Sequence, residues 1–459
     1  MNHIFVDFAR QAGRMKPLHS VNNGPVYKTA PDQRITNLPA FQAAGIPYVR
    51  THDASFYATY GGEHTVDVHM IFPDFSRDPA DPAAYDFTLT DEYMRVIALG
   101  GSRVFYRLGS KIEHEIKKYG TLPPPDFHKW ARICEHIIRH YTQGWADGFH
   151  YDMAYWEIWN EPDGFADDAP PEKKTCWGGT QAQFCQLFDI TARHLKACFP
   201  DKKIGGPAVC YPLTDWARRF LDYLRSHQTP LDFFSWHMYS ADPWRMAQVE
   251  RETRDLLDAY GFTAAESILN EWNYMRGWEG EEWTYSLTAE RGLKGSAFIA
   301  AALCLSQYAP LDLLMYYDAR PCAMNGLFAP YEVNRNLKGY YALYFFNQLY
   351  RLGNAAAVSC PEKGIAACAA ESGTRKAVLL THYADDDGAP PRQVKLSLAH
   401  LQETEKPLRL TYYLLDETHD GAPYREEIVT GIAAAAYLTL PLFTSCLLTI
   451  EPAALEEKA

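Results

Sequence analysis

Over roughly its first 360 residues the chain alternates strand-like and helix-like runs eight times, and that alternation leaves few folds open. The strand-like runs fall at residues 19–22, 46–52, 103–108, 155–160, 203–207, 233–239, 267–270 and 313–317. Helical periodicity fills the gaps. Trp130, Cys134, Ile137, Ile138 and Tyr141, for example, recur at helical spacing within 127–144. Further helices are expected over 34–45, 91–100, 181–199, 216–227, 246–260, 293–307 and 339–352. The pattern predicts an α/β fold, a closed (β/α)8 TIM barrel over residues 15–355. A doubly wound sheet is the competitor, but it usually carries a glycine-rich phosphate loop after a strand. Gly205-Gly206-Pro207 is not one, because the proline has no N–H to offer.

The texture changes after about residue 355. Short β-type runs at 377–383, 409–415 and 445–450 are separated by turn-rich stretches such as Asp385-Asp386-Asp387-Gly388. They predict a smaller all-β, sandwich-like domain over 356–459. The run 4–8, within an N-terminal strand segment 1–14, is a candidate to join it.

Composition narrows the partners. A formal net charge of −13 disfavours nucleic acid and anionic membranes, which call for basic patches. Aromatic residues make up 14%, compatible with sugar platforms, although a large core accounts for most of them. The 10 cysteines are scattered, with no C-x-x-C and no paired spacing that suggests zinc. Neither a metal nor a cofactor is expected. The opening stretch lacks a signal-peptide pattern, and the apolar run 297–305 is too short to span a bilayer, reading instead as a buried helix. Together these point to a cytoplasmic protein with neutral partners, compatible with a small carbohydrate and without nucleic-acid or membrane partners; homo-oligomerisation is left open.

Two glutamates carry the chemistry. Glu161 ends Trp156-Glu157-Ile158-Trp159-Asn160-Glu161, and Glu271 ends Ile268-Leu269-Asn270-Glu271, each after an apolar run and an asparagine. Active sites of parallel barrels lie at the C-terminal ends of strands. These two strands are the fourth and seventh, far enough round a barrel to face each other across its mouth. Glycoside hydrolysis needs such a pair, one carboxyl as proton donor and the other as nucleophile or base. Asn160 is placed to meet a sugar 2-hydroxyl. Glu157 is the decoy: strict alternation puts it on the same face as Glu161, but its mid-strand depth makes it the less accessible carboxylate.

The stretch Trp159-Asn160-Glu161-Pro162-Asp163-Gly164-Phe165 resembles the acid/base motif of glycoside hydrolase family 39, which contains β-xylosidases and α-L-iduronidases of the retaining (β/α)8 clan. Gly45-Ile46-Pro47-Tyr48-Val49-Arg50-Thr51-His52 is similar to that family's second strand. Cys176-Trp177-Gly178-Gly179-Thr180 resembles its loop after strand four, Ser235-Trp236-His237-Met238-Tyr239 its sixth strand and Leu269-Asn270-Glu271-Trp272 its nucleophile strand. Asn325-Gly326-Leu327 with Gly339-Tyr340-Tyr341-Ala342 resembles the closing segment. The similarity spans about residues 20–355.

The resemblance implies a retaining glycosidase of β-xylosidase type, with Glu161 as general acid/base and Glu271 as nucleophile; exo action on small oligosaccharides or glycosides is expected from the cytoplasmic setting. His237 and Tyr239 would hold the nucleophile and the sugar. Arg50 would sit near Glu271 and keep it ionised. His52 is a candidate for sugar hydroxyls, and Tyr317 or Trp272 for an aromatic wall, though either could equally be core.

One departure puts xylose in question. After strand eight the chain reads Tyr317-Asp318-Ala319-Arg320-Pro321-Cys322, short and with a basic residue, so arabinosidase, galactosidase, glucosidase or iduronidase-like specificity stays open. An exposed Arg320 is the simplest expectation there. Trp177, Trp244 and Trp278 follow strands four, six and seven, and are candidates to close a pocket for a single terminal sugar. Two other readings remain: a non-catalytic carbohydrate-binding protein, and a metal-dependent hydrolase built on His52, His237 and carboxylates, for which no H-x-H or H-E-x-x-H spacing speaks.

Overall fold

A computed structural model describes residues 2–30, 33–53, 64–322, 324–330, 332–402 and 406–453. Eight parallel strands close into a barrel. They are Ser20–Asn22, Tyr48–Thr51, Arg103–Leu108, Tyr155–Ile158, Lys203–Val209, Phe233–Ser240, Glu266–Tyr274 and Leu313–Tyr316, each bonded to the next and the last to the first. All eight expected strands are present, and the fold is the (β/α)8 barrel. The strands are buried on both faces, by the barrel interior and by the surrounding helices, so they read as near-continuous apolar runs.

The helices follow from caps and stripes. Phe127–Gln143 starts where the Asp126 carboxylate accepts from the Lys129 amide, and ends at Gly144 in the left-handed region. Trp130, Ile133, Cys134, Ile137, Ile138 and Tyr141 form its buried stripe. Gln181–Cys198 opens with a capping box between Thr180 and Gln183. Leu293–Ser306 is buried on nearly all sides, because it is sandwiched between the barrel and the β sheet beyond it.

Two local expectations differ. The helix expected over 34–45 covers only Leu38–Ala44, because Pro39 fits a helix only in its first turn; Gln33–Thr36 instead pairs as a strand with Tyr27–Ala30. Gly280–Glu290 forms a helix that the sequence pattern does not predict.

Apart from a short hairpin of Phe328–Ala329 with Glu332–Asn336, the remaining strands form one nine-stranded sheet. Asn2–Arg14 lies inside it, antiparallel to Asn354–Ser359 and parallel to Arg392–Ala399. Residues from near both ends of the sheet, including Leu396 and Leu410, share one apolar core with Ile4, Val6 and Phe8, so the sheet curls into a sandwich-like unit. No described helix is long and apolar enough to cross a membrane.

Candidate active site

The site is set by three breaks in regular strand geometry. Strand four ends at Ile158, and Trp159 and Glu161 then take left-handed backbone conformations, with φ of 79° and 45°. Such residues cost of order 1–2 kcal/mol each and need anchoring. The anchors are backbone bonds from Trp159 N to Leu108 O at 2.7 Å and from Glu161 N to Ala208 O at 2.9 Å. Gly109 lies against Trp159 so closely that a Cβ there would meet the indole at 3.0 Å. The third break is in strand seven, which runs on to Tyr274 and slips register against strand six between Leu269 and Glu271. A bulge of this kind re-aims a side chain.

These breaks undo simple alternation. Glu157 remains in the barrel interior with a side chain 0% exposed, whereas that of Glu161 is 16% exposed at the mouth. An oxygen of Glu161, an oxygen of Glu271 and one nitrogen of His237 all lie within 4.8 Å of one another. His237 Nδ1 stands 2.8 Å from Glu161 Oε1 and 3.5 Å from Glu271 Oε2.

Beneath the carboxylates lies Arg50, fully buried. Its Nη1 donates to Glu271 Oε1 at 2.7 Å and to Asn22 Oδ1 at 3.0 Å, its Nε to Glu157 Oε2 at 2.7 Å, and its Nη2 to Asn160 Oδ1 at 2.6 Å. Expected beside Glu271 and among the substrate-binding residues, Arg50 is bonded to Glu271 but enclosed by protein, and it orients the groups above it. With its oxygen taken by Arg50, Asn160 keeps a buried Nδ2 with no hydrogen-bond partner among the described residues. Tyr239 donates its hydroxyl to Glu271 Oε2 at 3.0 Å, and His52 Nε2 approaches Glu271 Oε1 at 3.4 Å.

Electrostatics separate the groups. Burial raises the Glu161 carboxyl above its ordinary range, against the pull of His52 and Arg50. Burial lowers His237 to about 4, so its ring is neutral near pH 7. Asp163, two residues beyond Glu161, is raised to about 7 by burial. The Cys176 thiol reaches Glu161 Oε2 at 3.7 Å.

Beside His52 is a cluster that the sequence reading missed. Asp53 accepts from the Tyr317 hydroxyl and pairs with Arg320 at 3.1 Å and with Lys111 at 3.6 Å. Burial alone would raise Asp53, but Arg320, His52 and Lys111 hold it well below the usual carboxylate range. Arg320, expected at the surface, instead turns inward and also pairs with Asp318 at 3.1 Å. The one available signal was position: Asp53 directly follows Arg50-Thr51-His52.

The aromatic expectations divide. Tyr317 lies near the mouth, its ring 5.7 Å from His52 and 6.4 Å from Tyr239. Trp272 does not reach it. It is wholly buried between Phe298 and Tyr316, because the bulge that presents Glu271 turns the next residue outward to the helices. Trp177 packs on Trp159 and Phe184, and Trp244 stacks over Tyr383 of the β sheet, so neither closes the mouth. Trp278 is 57% exposed and sits edge-on to Tyr239 at 5.0 Å, so it reaches the rim.

Residues 37–259 match the family model for glycosyl hydrolases family 39. The β-xylosidase of Geobacillus stearothermophilus is 28% identical over 151 residues, covering 32% of this chain and 25% of that enzyme. The match therefore spans only about a quarter of that curated relative's length. Among solved structures, a glucosidase from Croceicoccus marinus superposes with a TM-score of 0.79 at 23% identity, covering 99% of this chain and 100% of that one. A GH39 enzyme from Xanthomonas axonopodis pv. citri superposes with a TM-score of 0.72 at 17% identity, covering 98% and 97%. At these identities the superpositions speak to the fold.

Proposed function

We propose that the chain, whose residues 37–259 match the family model for glycosyl hydrolases family 39, is a retaining exo-glycosidase, removing terminal β-linked sugars from small oligosaccharides or glycosides. The observation that carries this reading is the spacing of Glu161 and Glu271, whose oxygens approach within 4.8 Å across a single imidazole. Retaining enzymes hold their carboxyl groups about 5–5.5 Å apart, whereas inverting ones leave about 6.5–9.5 Å for a water.

In this mechanism Glu271 attacks the anomeric carbon while Glu161 gives its proton to the glycosidic oxygen. The aglycone leaves, and a glycosyl ester on Glu271 remains. Glu161, now a carboxylate, takes a proton from water, which attacks the same carbon and releases the sugar with its configuration kept. Arg50 and Tyr239 orient the Glu271 carboxyl group through hydrogen bonds to its two oxygens. Burial favours the protonated form of Glu161. The free Nδ2 of Asn160 is a donor for the 2-hydroxyl, and His52 and the Asp53–Arg320 pair are candidates for other hydroxyls.

β-Xylosidase activity is the leading specificity, in line with the Geobacillus relative. Glucoside cleavage is the second reading, in line with the Croceicoccus structure. The experiment is a panel of nitrophenyl glycosides, with the product anomer followed by NMR. Retention with a preferred β-glycoside supports the reading; an inverted anomer overturns the mechanism, and binding without turnover makes the protein a carbohydrate binder. Activity abolished by a chelator would mean that Glu161, His237 and Glu271 hold a cation. Time courses on a defined oligosaccharide test exo action: monosaccharide released from the outset supports it, and early mid-length fragments refute it.

A further inference from the structure

Away from the catalytic mouth, three side chains of different chemistry converge in the outer helix layer. Glu135 lies on the helix Phe127–Gln143, and His194 and Cys198 lie on its neighbour Gln181–Cys198. Residues four apart share a helix face, so His194 and Cys198 project together. Glu135 meets them across the seam between the two helices. His194 Nε2 is 2.7 Å from Glu135 Oε2 and 3.9 Å from Cys198 Sγ. One donor atom from each residue lies within 4.8 Å of the others.

What the cluster is suited to depends on which nitrogen is used. In a nucleophile relay, the thiol and the carboxylate engage opposite nitrogens of the imidazole. Here both crowd the same Nε2. Cys198 is also poorly prepared as a nucleophile, because burial and then Glu135 push its thiol up. Sulfur, nitrogen and oxygen converging on one point is the donor set of a tetrahedral zinc site. Bonds of about 2.3 Å to sulfur and about 2.0 Å to nitrogen or oxygen place ligand atoms roughly 3.2–3.6 Å apart. The two measured separations bracket that span. All three residues are partly exposed, which leaves a side open for water as fourth ligand. Arg139 Nε donates to Glu135 Oε1 at 2.8 Å and so turns Oε2 toward His194. The charge of Arg139 opposes a cation, so the affinity is moderate rather than that of a closed structural site.

We propose that Glu135, His194 and Cys198 form a zinc-type divalent-cation site on the outside of the barrel, clamping the helices after strands three and four. Binding takes the Cys198 thiolate and the neutral His194 ring, so the thiol proton goes to solvent and nothing is oxidised or reduced. The test uses the full chain, stripped of metal and titrated with Co2+ by absorption and with Zn2+ by calorimetry. The expected result is a thiolate-to-Co2+ charge-transfer band in the near ultraviolet at one equivalent. That band should vanish in C198A and H194A, and Zn2+ affinity should fall at least about tenfold in E135Q. The band should survive in C176A, which removes the thiol beside Glu161 and so separates this site from any cation held at the mouth. Absence of the band in the unaltered protein, or its persistence in C198A, overturns the proposal. Circular dichroism of each variant shows that the fold is kept.

Discussion

The Nδ1 of His237 lies 2.8 Å from a carboxylate oxygen of Glu161. Burial holds that ring neutral down to about pH 4, so it offers Glu161 a hydrogen-bond partner but no positive charge. With no full charge from His237 to ionise it, Glu161 keeps its proton to higher pH than an ordinary carboxyl. The basic limb of a kcat/KM profile should therefore fall above the usual carboxylate range, and E161Q should abolish that limb on substrates with activated leaving groups. A limb unchanged in E161Q would assign it to another group.

Leaving-group chemistry separates the two glutamates. E161A should retain turnover of activated aryl glycosides and lose it on unactivated ones by about 10²–10⁴-fold, the usual worth of general acid catalysis. Azide should restore its rate and yield a glycosyl azide of retained configuration. E271A should lose activity on both substrate classes. Equal losses on both classes in E161A would remove its assignment as acid.

Arg50 meets Glu157, Glu271, Asn160 and Asn22 in a space closed to solvent. R50A strands two buried carboxylates, and breaking a buried pair in this way costs about 3–5 kcal/mol. The expected outcome is a large drop in the denaturation midpoint. R50K keeps a charge but loses the fork that spans four partners, so it should fold yet turn over slowly. Near-normal kcat in R50K would show that the fork is unnecessary.

Glu290 makes a prediction away from the site. It is buried, neither carboxyl oxygen meets a partner among the described residues, and burial raises it to about 9. Its folded value stands above its unfolded one, so its contribution is fully present below about pH 4 and is lost as pH rises toward 9. E290Q cannot ionise. The stability gap between E290Q and the unaltered protein should therefore shift in favour of the variant by up to about 4 kcal/mol between pH 5 and pH 8.5. Parallel thermal-stability curves across that range would refute it.

The barrel and the paired glutamates were legible because both are written in local patterns. Runs of Val, Ile, Leu and aromatic residues mark strands, and the shared Asn-Glu ending marks the mouth. The exact aim of the side chains was not legible. Mid-strand depth already marked Glu157 as the less accessible carboxylate, but the left-handed backbone at Trp159 and Glu161 that sets how Glu161 is aimed was not legible. The register slip at Glu271 likewise decides that Trp272 points to the helices and not to the sugar. Asp53, Lys111 and Arg320 come together only when strands two, three and eight are brought side by side. Cysteine spacing gave no hint of a cation cluster, because its ligands come from two helices.

The strand Asn2–Arg14 sits between strands formed from the far end of the chain, with Phe5 opposite Ser359 and Ile4 opposite Leu396. During synthesis, Asn2–Arg14 must therefore wait until residues 354–399 have been made before it can pair. The barrel has every element it needs earlier, so it can fold on the ribosome while this apolar strand stays unpaired. Until those residues follow, Ile4, Val6 and Phe8 are an apolar strand with nothing to cover it, the kind of unpaired edge on which chains associate.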